Sequence, residues 1–339
     1  MRPAYHPRLI NSPLEDPGLF ISFLLQRRAV LFDLGDLSAL SARDILKITH
    51  VFVSHTHMDH FIGFDHVLRL MLGRQKTLHL FGPAGFLENV ASRLGGYTWN
   101  LVDNYPKPLT LDVHEVRPDR VLRCVYRCRD AFRPQGPPEV RPADAPLVQE
   151  PAFSVRTAVL DHGTPCLAFA FEERFHVNIL KARVLEMGLE TGPWLSRLKA
   201  AIFEGADPTS VFEVPARWAG GKARRFALGE LAARIASITP GQKIAYVTDA
   251  GWTPENRRRI ISLARGADTL FIEAAFAHRH RDIAAAKHHL TARQAGWLAA
   301  AAGVKAFSVF HFSPRYTGDE ELLRREALEA FVETGTGED

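Results

Sequence analysis

The chain has 339 residues and a formal net charge of +4, with 46% hydrophobic and 24% charged residues, which is an ordinary globular composition. A chain of this length can bury a sizeable core without cross-links, and its three cysteines (Cys124, Cys128 and Cys166) are too few for a disulfide framework. No run approaches the roughly 20 apolar residues of a membrane span, and no basic segment followed by an apolar run opens the sequence. We therefore expect a cytoplasmic protein.

Strand and helix patterns alternate over the first hundred residues. Strands are predicted at 29–35, 50–55 and 77–83, and helices at 64–71 and 86–94. In the first of these helices Phe64, Val67 and Leu68 follow helical spacing, and Gly73 stops the pattern. Strand patterns then dominate, at 109–116, 120–127, 153–160 and 166–173, with a proline-rich loop predicted over 134–146.

The second half returns to alternation after an interruption. Residues 174–241 are less regular and mostly polar, which predicts an insertion or arm. Strands are then predicted at 243–251, 268–276 and 305–312, and helices at 254–266, 291–303 and 319–332. Thr291 and Gln294 predict a capping box for the second of these helices. This order fits one α/β domain over residues 1–339, with two sheets covered by helices.

Two stretches are rich in basic residues. Seven arginines stand against three acids between Arg117 and Arg141, and residues 217–225 hold four bases and no acid. Such clusters suit a polyanionic partner such as RNA. The alternative is a solvated edge strand and a surface loop.

The densest group of metal-binding residue types is the segment 55–60, HTHMDH. Side chains two apart at an extended strand end face the same side, so His55 and His57 can bind one metal together. The following turn can direct Asp59 and His60 to a second metal. Zinc prefers these imidazole nitrogens and carboxylate oxygens as ligands. The alternative is a chance histidine-rich loop.

Three further residues of the same types stand at the ends of strand patterns: His162, Asp249 and His311. Each alone would more often be a core, surface or turn residue. Open α/β sheets keep their binding sites at the carboxyl ends of strands, so the repetition predicts that the three residues converge.

These motifs resemble a known family. HTHMDH resembles the H-x-H-x-D-H signature of the metallo-β-lactamase superfamily. Four further stretches resemble the ribonuclease Z group, endonucleases that remove the 3′ trailer of precursor tRNA: residues 162–165 (HGTP) with the following CLAFAFEE, Gly192-Pro193 with LSRLK, residues 289–292 (HLTA) and residues 311–316 (HFSPRY). The resemblance implies a metallo-β-lactamase fold, a four-layer αββα sandwich of two mixed sheets covered by helices.

The resemblance also implies a ligand set for two zinc ions per chain, with manganese as a substitute. His55, His57 and His162 would hold the first, Asp59, His60 and His311 the second, and Asp249 would bridge both. Asp59 would in addition orient a hydroxide held between the metals. His289 would donate a proton to the leaving ribose oxygen, with Glu273 orienting it and His288 as a rival donor. Ser313 and Arg315 would contact a substrate phosphate, although Arg315 could instead pair with a nearby acid.

Three functions compete on this basis. The first is an endoribonuclease that cuts precursor tRNA, acting as a homodimer in which the arm at 174–241 grips the RNA. The second is a phosphodiesterase for cyclic nucleotides or other small diesters. It draws support from loops around the site that depart from the family pattern, at residues 7–18 and 63–68. The third is a catalytically silent metal-binding protein of the same fold, which would have lost a ligand. Because all seven ligands are present, it ranks last.

Overall fold

A computed structural model describes residues 4–24, 26–143, 145–215 and 222–335. The chain divides into two compact units. The insert unit consists of Gln149–Ser154 and Glu172–Gln242. The main unit consists of Ala4–Val148, Val155–Phe171 and the chain from Lys243 onward. Among the helices of the described residues, none has both the length and the apolar character needed to cross a membrane.

The strands and helices are as follows. The strands are β1 (Tyr5–Leu9), β2 (Leu19–Phe23), β3 (Ala29–Phe32), β4 (Ile48–Phe52), β5 (Lys76–Gly82), β6 (Leu109–Val116), β7 (Arg120–Arg127), β8 (Glu139–Pro142), β9 (Val148–Gln149), β10 (Phe153–Asp161), β11 (Pro165–Glu173), β12 (Phe175–Ile179), β13 (Val211–Val214), β14 (Arg224–Ala227), β15 (Ala236–Pro240), β16 (Lys243–Val247), β17 (Thr269–Glu273) and β18 (Phe307–Phe310). The α-helices are α1 (Ala42–Ile45), α2 (Met58–Phe61), α3 (Phe64–Met71), α4 (Phe86–Gly95), α5 (Lys181–Glu186), α6 (Trp194–Glu204), α7 (Leu228–Ile235), α8 (Pro254–Ala264), α9 (Arg281–Ala286), α10 (Ala292–Ala301) and α11 (Glu320–Gly335).

Two sheets build the main unit. The first has eight strands in sequence order, β1 to β8. Its strands β3 to β6 pair in parallel, and the strands on either side pair antiparallel. The second sheet has the order β18-β17-β16-β11-β10-β9, and β16, β17 and β18 pair in parallel. Parallel strands of one sheet end at the same edge, so β16 and β18 of the second sheet can each deliver a side chain to one site.

The alternation of side chains along each strand separates two kinds of core. On β3, Leu31 packs among residues of the covering helices, such as Phe64 and Phe86. Its neighbour Phe32 faces the other sheet, where its ring centroid lies 5.5 Å from that of Phe169 and 5.8 Å from that of Tyr246. The outer face of the second sheet packs on α8, α10 and α11 through a second apolar cluster. Fully burying one such side chain contributes roughly 1.5–3 kcal/mol.

The predicted loop over 134–146 contains a strand, so that part of the prediction was wrong. β8 is the edge strand of this sheet and pairs antiparallel with β7, and Arg123 lies opposite Glu139. The Arg123 Nη1 donates to Glu139 Oε2 at 2.8 Å, and such opposite-charge pairs stabilise neighbouring strands. Pro142 ends the strand, as an edge position permits. The arginine cluster is thus partly neutralised, since Arg117 also pairs with Glu115 at 2.7 Å.

The insert unit is more regular than the sequence suggested. It contains β12 paired with β15, β13 paired with β14, and the helices α5, α6 and α7. Its own apolar cluster includes Val184, Leu198, Leu231 and Ile235. Most of these elements are short, and even α6, with 11 residues, buries only Trp194 and Leu198, so its apolar pattern is weak. Residues 217–221 of the predicted basic run lie outside the described residues.

The helix pair α10 and α11 gives a stability prediction. A Cβ added at Gly296 would lie 2.0 Å from the carbonyl oxygen of Ala327, a backbone atom that cannot rotate away. Gly296→Ala should therefore lower the free energy of unfolding by about 1–3 kcal/mol, as overpacking does. Thermal unfolding followed by circular dichroism measures the change. Gly95→Ala is the control, because its added Cβ meets nothing within 4 Å. Equal midpoints for Gly296→Ala and the wild type would contradict the close packing of these helices.

Candidate metal centre and active site

The segment that follows β4 carries four of the predicted ligands. The Val53 N–H donates to Phe81 O at 2.7 Å and the Ser54 N–H donates to Asp33 Oδ1 at 2.6 Å, which hold the chain as it leaves the sheet. Helix α2 then begins after His57, so Asp59 and His60 lie in its first turn. A Cβ on Gly35 would lie 2.6 Å from the carbonyl oxygen of Asp59. Glycine has no Cβ, so the backbone at Gly35 can lie against the backbone at Asp59.

The other three predicted ligands come from three strand ends. His162 lies in the turn between β10 and β11, Asp249 follows β16, and His311 follows β18. The structure brings all seven together in two groups whose ligand atoms lie within 4.8 Å of one another: His55, His57, His162 and Asp249 form one group, and Asp59, His60 and His311 form the other. Asp249 and His311 adopt φ values of 36° and 59°, which are uncommon for residues other than glycine.

The donor atoms fit a pair of metal ions. The Nε2 atoms of His55 and His60 are buried and have no hydrogen-bond partner among the described residues. They lie 3.6 Å from Asp249 Oδ2, and His162 Nε2 lies 3.3 Å from the same oxygen. Tetrahedral zinc with bonds of about 2.0–2.1 Å requires ligand atoms about 3.3 Å apart. These separations suit atoms that share a cation better than atoms that share a proton.

The second ring nitrogens of two histidines are held by neighbouring oxygens. His162 Nδ1 donates to His288 O at 2.8 Å, which leaves Nε2 to face the centre. His60 Nδ1 donates to Asp33 Oδ2 at 3.0 Å. Asp33 is fully buried, and the same Oδ2 atom accepts hydrogen bonds from Ser54 Oγ and Tyr246 OH. Such partners fix the tautomer and orientation of ligating imidazoles.

The charges of the site favour bound cations. Burial lowers the pKa of His55 to about 2, which keeps its imidazole neutral, as a metal ligand must be. Burial also opposes protonation of His311, but the carboxylates of Asp249 and Asp59 raise its pKa to about 10. Burial raises the pKa of Asp249, but the surrounding histidines, His311 and His60 foremost, hold it well below its usual value. The carboxylates of Asp249 and Asp59 are therefore stabilised when positive charge binds beside them.

His289 and Glu273 form a hydrogen-bonded pair beside this centre. His289 Nδ1 donates to Glu273 Oε2 at 2.8 Å. Burial lowers the pKa of His289, but the Glu273 carboxylate raises it above its ordinary value. Glu273 is fully buried, and its Oε1 accepts from the N–H groups of Ala250 and Leu290. The rival His288 contributes its carbonyl oxygen to His162 instead, and it is not among the residues that line the cavity.

A cavity of about 410 Å³ opens onto these groups. It is lined by His57, Asp59, His162, Asp249, Ala275, Phe276, Lys287, His289, His311, Phe312, Ser313 and Pro314. Ser313 was predicted to contact substrate and lies in this lining. Arg315 is exposed and does not belong to the lining, and its backbone N–H donates to Ser313 Oγ at 3.4 Å. Phe276 and Lys287 also line the cavity. They were not predicted from the sequence, because they belong to no recognised motif.

A third group of metal-binding residue types is differently arranged. His79, Asp112 and His114 lie together on β5 and β6. Arg123 Nε and Nη2 donate to the two oxygens of Asp112 at 2.7 and 3.1 Å. This guanidinium neutralises the carboxylate with bidentate geometry, so we assign the group as an ion-pair cluster.

The sequence is similar to that of curated ribonucleases. It is 33% identical to the ribonuclease Z of Deinococcus radiodurans over 324 residues, which cover 93% of this chain and 93% of that protein. The ribonuclease Z of Methanothermobacter thermautotrophicus is 27% identical over 91% of this chain and 85% of its own length. No protein-family model matches the sequence.

Solved structures show the same fold. The metallo-β-lactamase fold protein YhfI from Bacillus subtilis superposes with a TM-score of 0.55 at 16% identity, covering 96% of this chain and 94% of its own. The short form of human tRNase Z has a TM-score of 0.51 at 15% identity, covering 91% and 93%. These likenesses confirm the predicted metallo-β-lactamase fold.

Because Asp249 faces both ligand groups, its substitution should reduce metal binding. Wild-type protein should retain two zinc ions per chain after dialysis, whereas Asp249→Asn should retain at most one, because the amide cannot supply the negative charge that faces both groups. Elemental analysis by mass spectrometry measures the content. Asp112→Asn is the matched control and should retain both ions. Full zinc content in Asp249→Asn, or a loss in Asp112→Asn, would show that the centre lies elsewhere.

Proposed function

Because the chain belongs to the ribonuclease Z family, we propose that it is a metal-dependent endoribonuclease that removes the 3′ trailer of precursor tRNA. The positions of this chain's own residues support the proposal. His289 and five of the seven predicted ligands line one cavity, and the other two, His55 and His60, belong to the same two ligand groups, although these residues come from segments as distant as residues 55 and 311. A catalytically silent protein of this fold would have no need to keep every one of these groups.

We propose that His55, His57 and His162 hold one zinc ion, that Asp59, His60 and His311 hold a second, and that Asp249 contacts both. Manganese is the expected substitute. Two such ions, when bound, lower the pKa of a water molecule and neutralise charge on phosphate oxygens. The buried Nε2 atoms of His55 and His60, which lack hydrogen-bond partners among the described residues, support this assignment.

Asp59 is the carboxylate best placed to orient the attacking water. Its side chain is 43% exposed, whereas that of Asp249 is 3% exposed, so Asp59 can meet a molecule that enters the cavity. Its oxygen can accept a hydrogen bond from the water and orient the remaining lone pair toward phosphorus. Asp59 thus acts as a ligand and as an orienting group.

His289 is the proposed proton donor to the leaving ribose 3′-oxygen. Glu273 occupies its Nδ1 and stabilises the charged imidazolium, so the proton on Nε2 is the one available to substrate. The alkoxide is a poor leaving group, and general acid catalysis typically contributes about 10²–10⁴-fold in rate. Glu273 positions His289 and does not itself touch the substrate.

RNA is the proposed partner, and the insert unit is the proposed arm that contacts it. Lys181, Arg197 and Lys222 present exposed cationic side chains on this unit, where phosphate contacts would form. We also propose a homodimer, as the family resemblance implies, and a cytoplasmic location.

Cleavage of a 3′-extended precursor tRNA by purified, zinc-loaded protein tests the function. Wild type should cut after the discriminator base, and His289→Ala should lower kcat by about 10²–10⁴-fold, the range of a general acid. The control is His288→Asn, since asparagine tolerates the φ of 56° at this position and preserves the carbonyl that holds His162. It should keep kcat within about threefold of wild type, well inside that range.

A simple diester such as bis(p-nitrophenyl) phosphate separates the alternatives. Turnover of this compound without cleavage of precursor tRNA would replace the proposed function with that of a small-molecule phosphodiesterase. Equal losses in His289→Ala and His288→Asn would remove the assignment of His289 as the donor.

A further inference from the structure

The cavity contains one cation that belongs neither to the predicted ligand set nor to the His289–Glu273 pair. Lys287 lines the cavity together with Phe276 and His289. It directly follows the end of α9, and its N–H donates to Ile283 O at 3.0 Å and Ala284 O at 3.2 Å. The backbone of Lys287 is therefore fixed, while its side chain is exposed.

The turn that follows Lys287 explains why it shares a cavity with His289. His288 adopts the left-handed conformation with a φ of 56°. The His289 N–H then donates to Ala284 O at 2.9 Å, and the His288 carbonyl accepts from His162. The residues on either side of His288 both line the cavity as a result. The same turn thus places a predicted ligand, the proton donor and an ammonium group.

The ammonium of Lys287 is available to a ligand. None of the ion pairs formed by the described residues includes it, and its Nζ lies 6.0 Å from the ring centroid of Phe276. The carboxylates in the cavity lining, Asp59 and Asp249, belong to the metal-binding set. An exposed ammonium without an ion-pair partner among the described residues, in the cavity that holds the predicted metal ligands, favours an anionic group.

We propose that Lys287 binds the backbone phosphate next to the scissile phosphate. This inference rests on the proposed function, because only a polynucleotide carries a second phosphate at that place. The metal centre would engage the scissile group, and Lys287 would engage its neighbour. The residue therefore contributes to the choice of RNA over a simple diester.

The test compares Lys287→Gln with Lys287→Arg on precursor tRNA at several salt concentrations. Glutamine keeps most of the stem but removes the charge, and arginine restores the charge. For Lys287→Gln we expect KM to rise about tenfold with kcat within about twofold, and the slope of log affinity against log salt to fall by about one, as for the loss of one phosphate contact. Lys287→Arg should recover most of the wild-type KM. Bound zinc should match wild type in both variants.

Lys305→Gln is the matched control. Its ammonium is exposed as well, but it pairs with Asp268 at 2.6 Å, and it does not line the cavity. It should leave KM, kcat and the salt slope unchanged.

The outcomes separate this inference from the proposed function. If wild type cleaves the precursor but Lys287→Gln has an unchanged KM and salt slope, the inference is overturned and the function stands. A fall in kcat with no change in KM would also overturn it. If wild type hydrolyses only the simple diester, the proposed function fails and the inference fails with it.

Discussion

The buried carboxylate of Asp249 is the constraint on which the rest of the site depends. It is 2% exposed, and the imidazoles of His55, His60, His162 and His311 all have a ring nitrogen within 3.6 Å of it. A buried anion is tolerated only where positive charge meets it. The strand ends must therefore converge, and the backbone at Asp249 and His311 accepts unusual φ values to complete the arrangement.

Two further buried carboxylates, Asp33 and Glu273, fix the positions of histidines around Asp249. Asp33 holds His60 together with the hydroxyls of Ser54 and Tyr246. Glu273 holds His289 and the N–H group of Ala250, the residue after Asp249. Each carboxylate joins one histidine to the framework of a sheet. A static framework of this kind orients the reacting groups before substrate arrives, which is how enzymes reduce the entropy lost in the reaction.

Much of this could be predicted from the sequence because the strongest signals are local. HTHMDH places four predicted ligands within six residues, and His162, Asp249 and His311 each follow a recognisable strand. The capping box of Thr291 is equally local and is present. The role of Lys287 is not local, since it depends on a left-handed turn at His288 that the residue types do not specify. The same holds for β8, whose residues pair with those of β7, Glu139 opposite Arg123. Helices α5 and α6 of the insert unit bury few of their side chains, so their apolar periodicity was too weak to be recognised.

The wide spacing of the ligands along the chain has a consequence during synthesis. The first predicted ligand is residue 55 and the last is residue 311, which follows β18. A ribosome makes these segments in order, so a nascent chain lacks the last ligand until β18 has emerged and joined its sheet. A partly made polypeptide can therefore acquire most of its secondary structure without gaining the means to cut RNA. Translation itself thus delays the completion of the site.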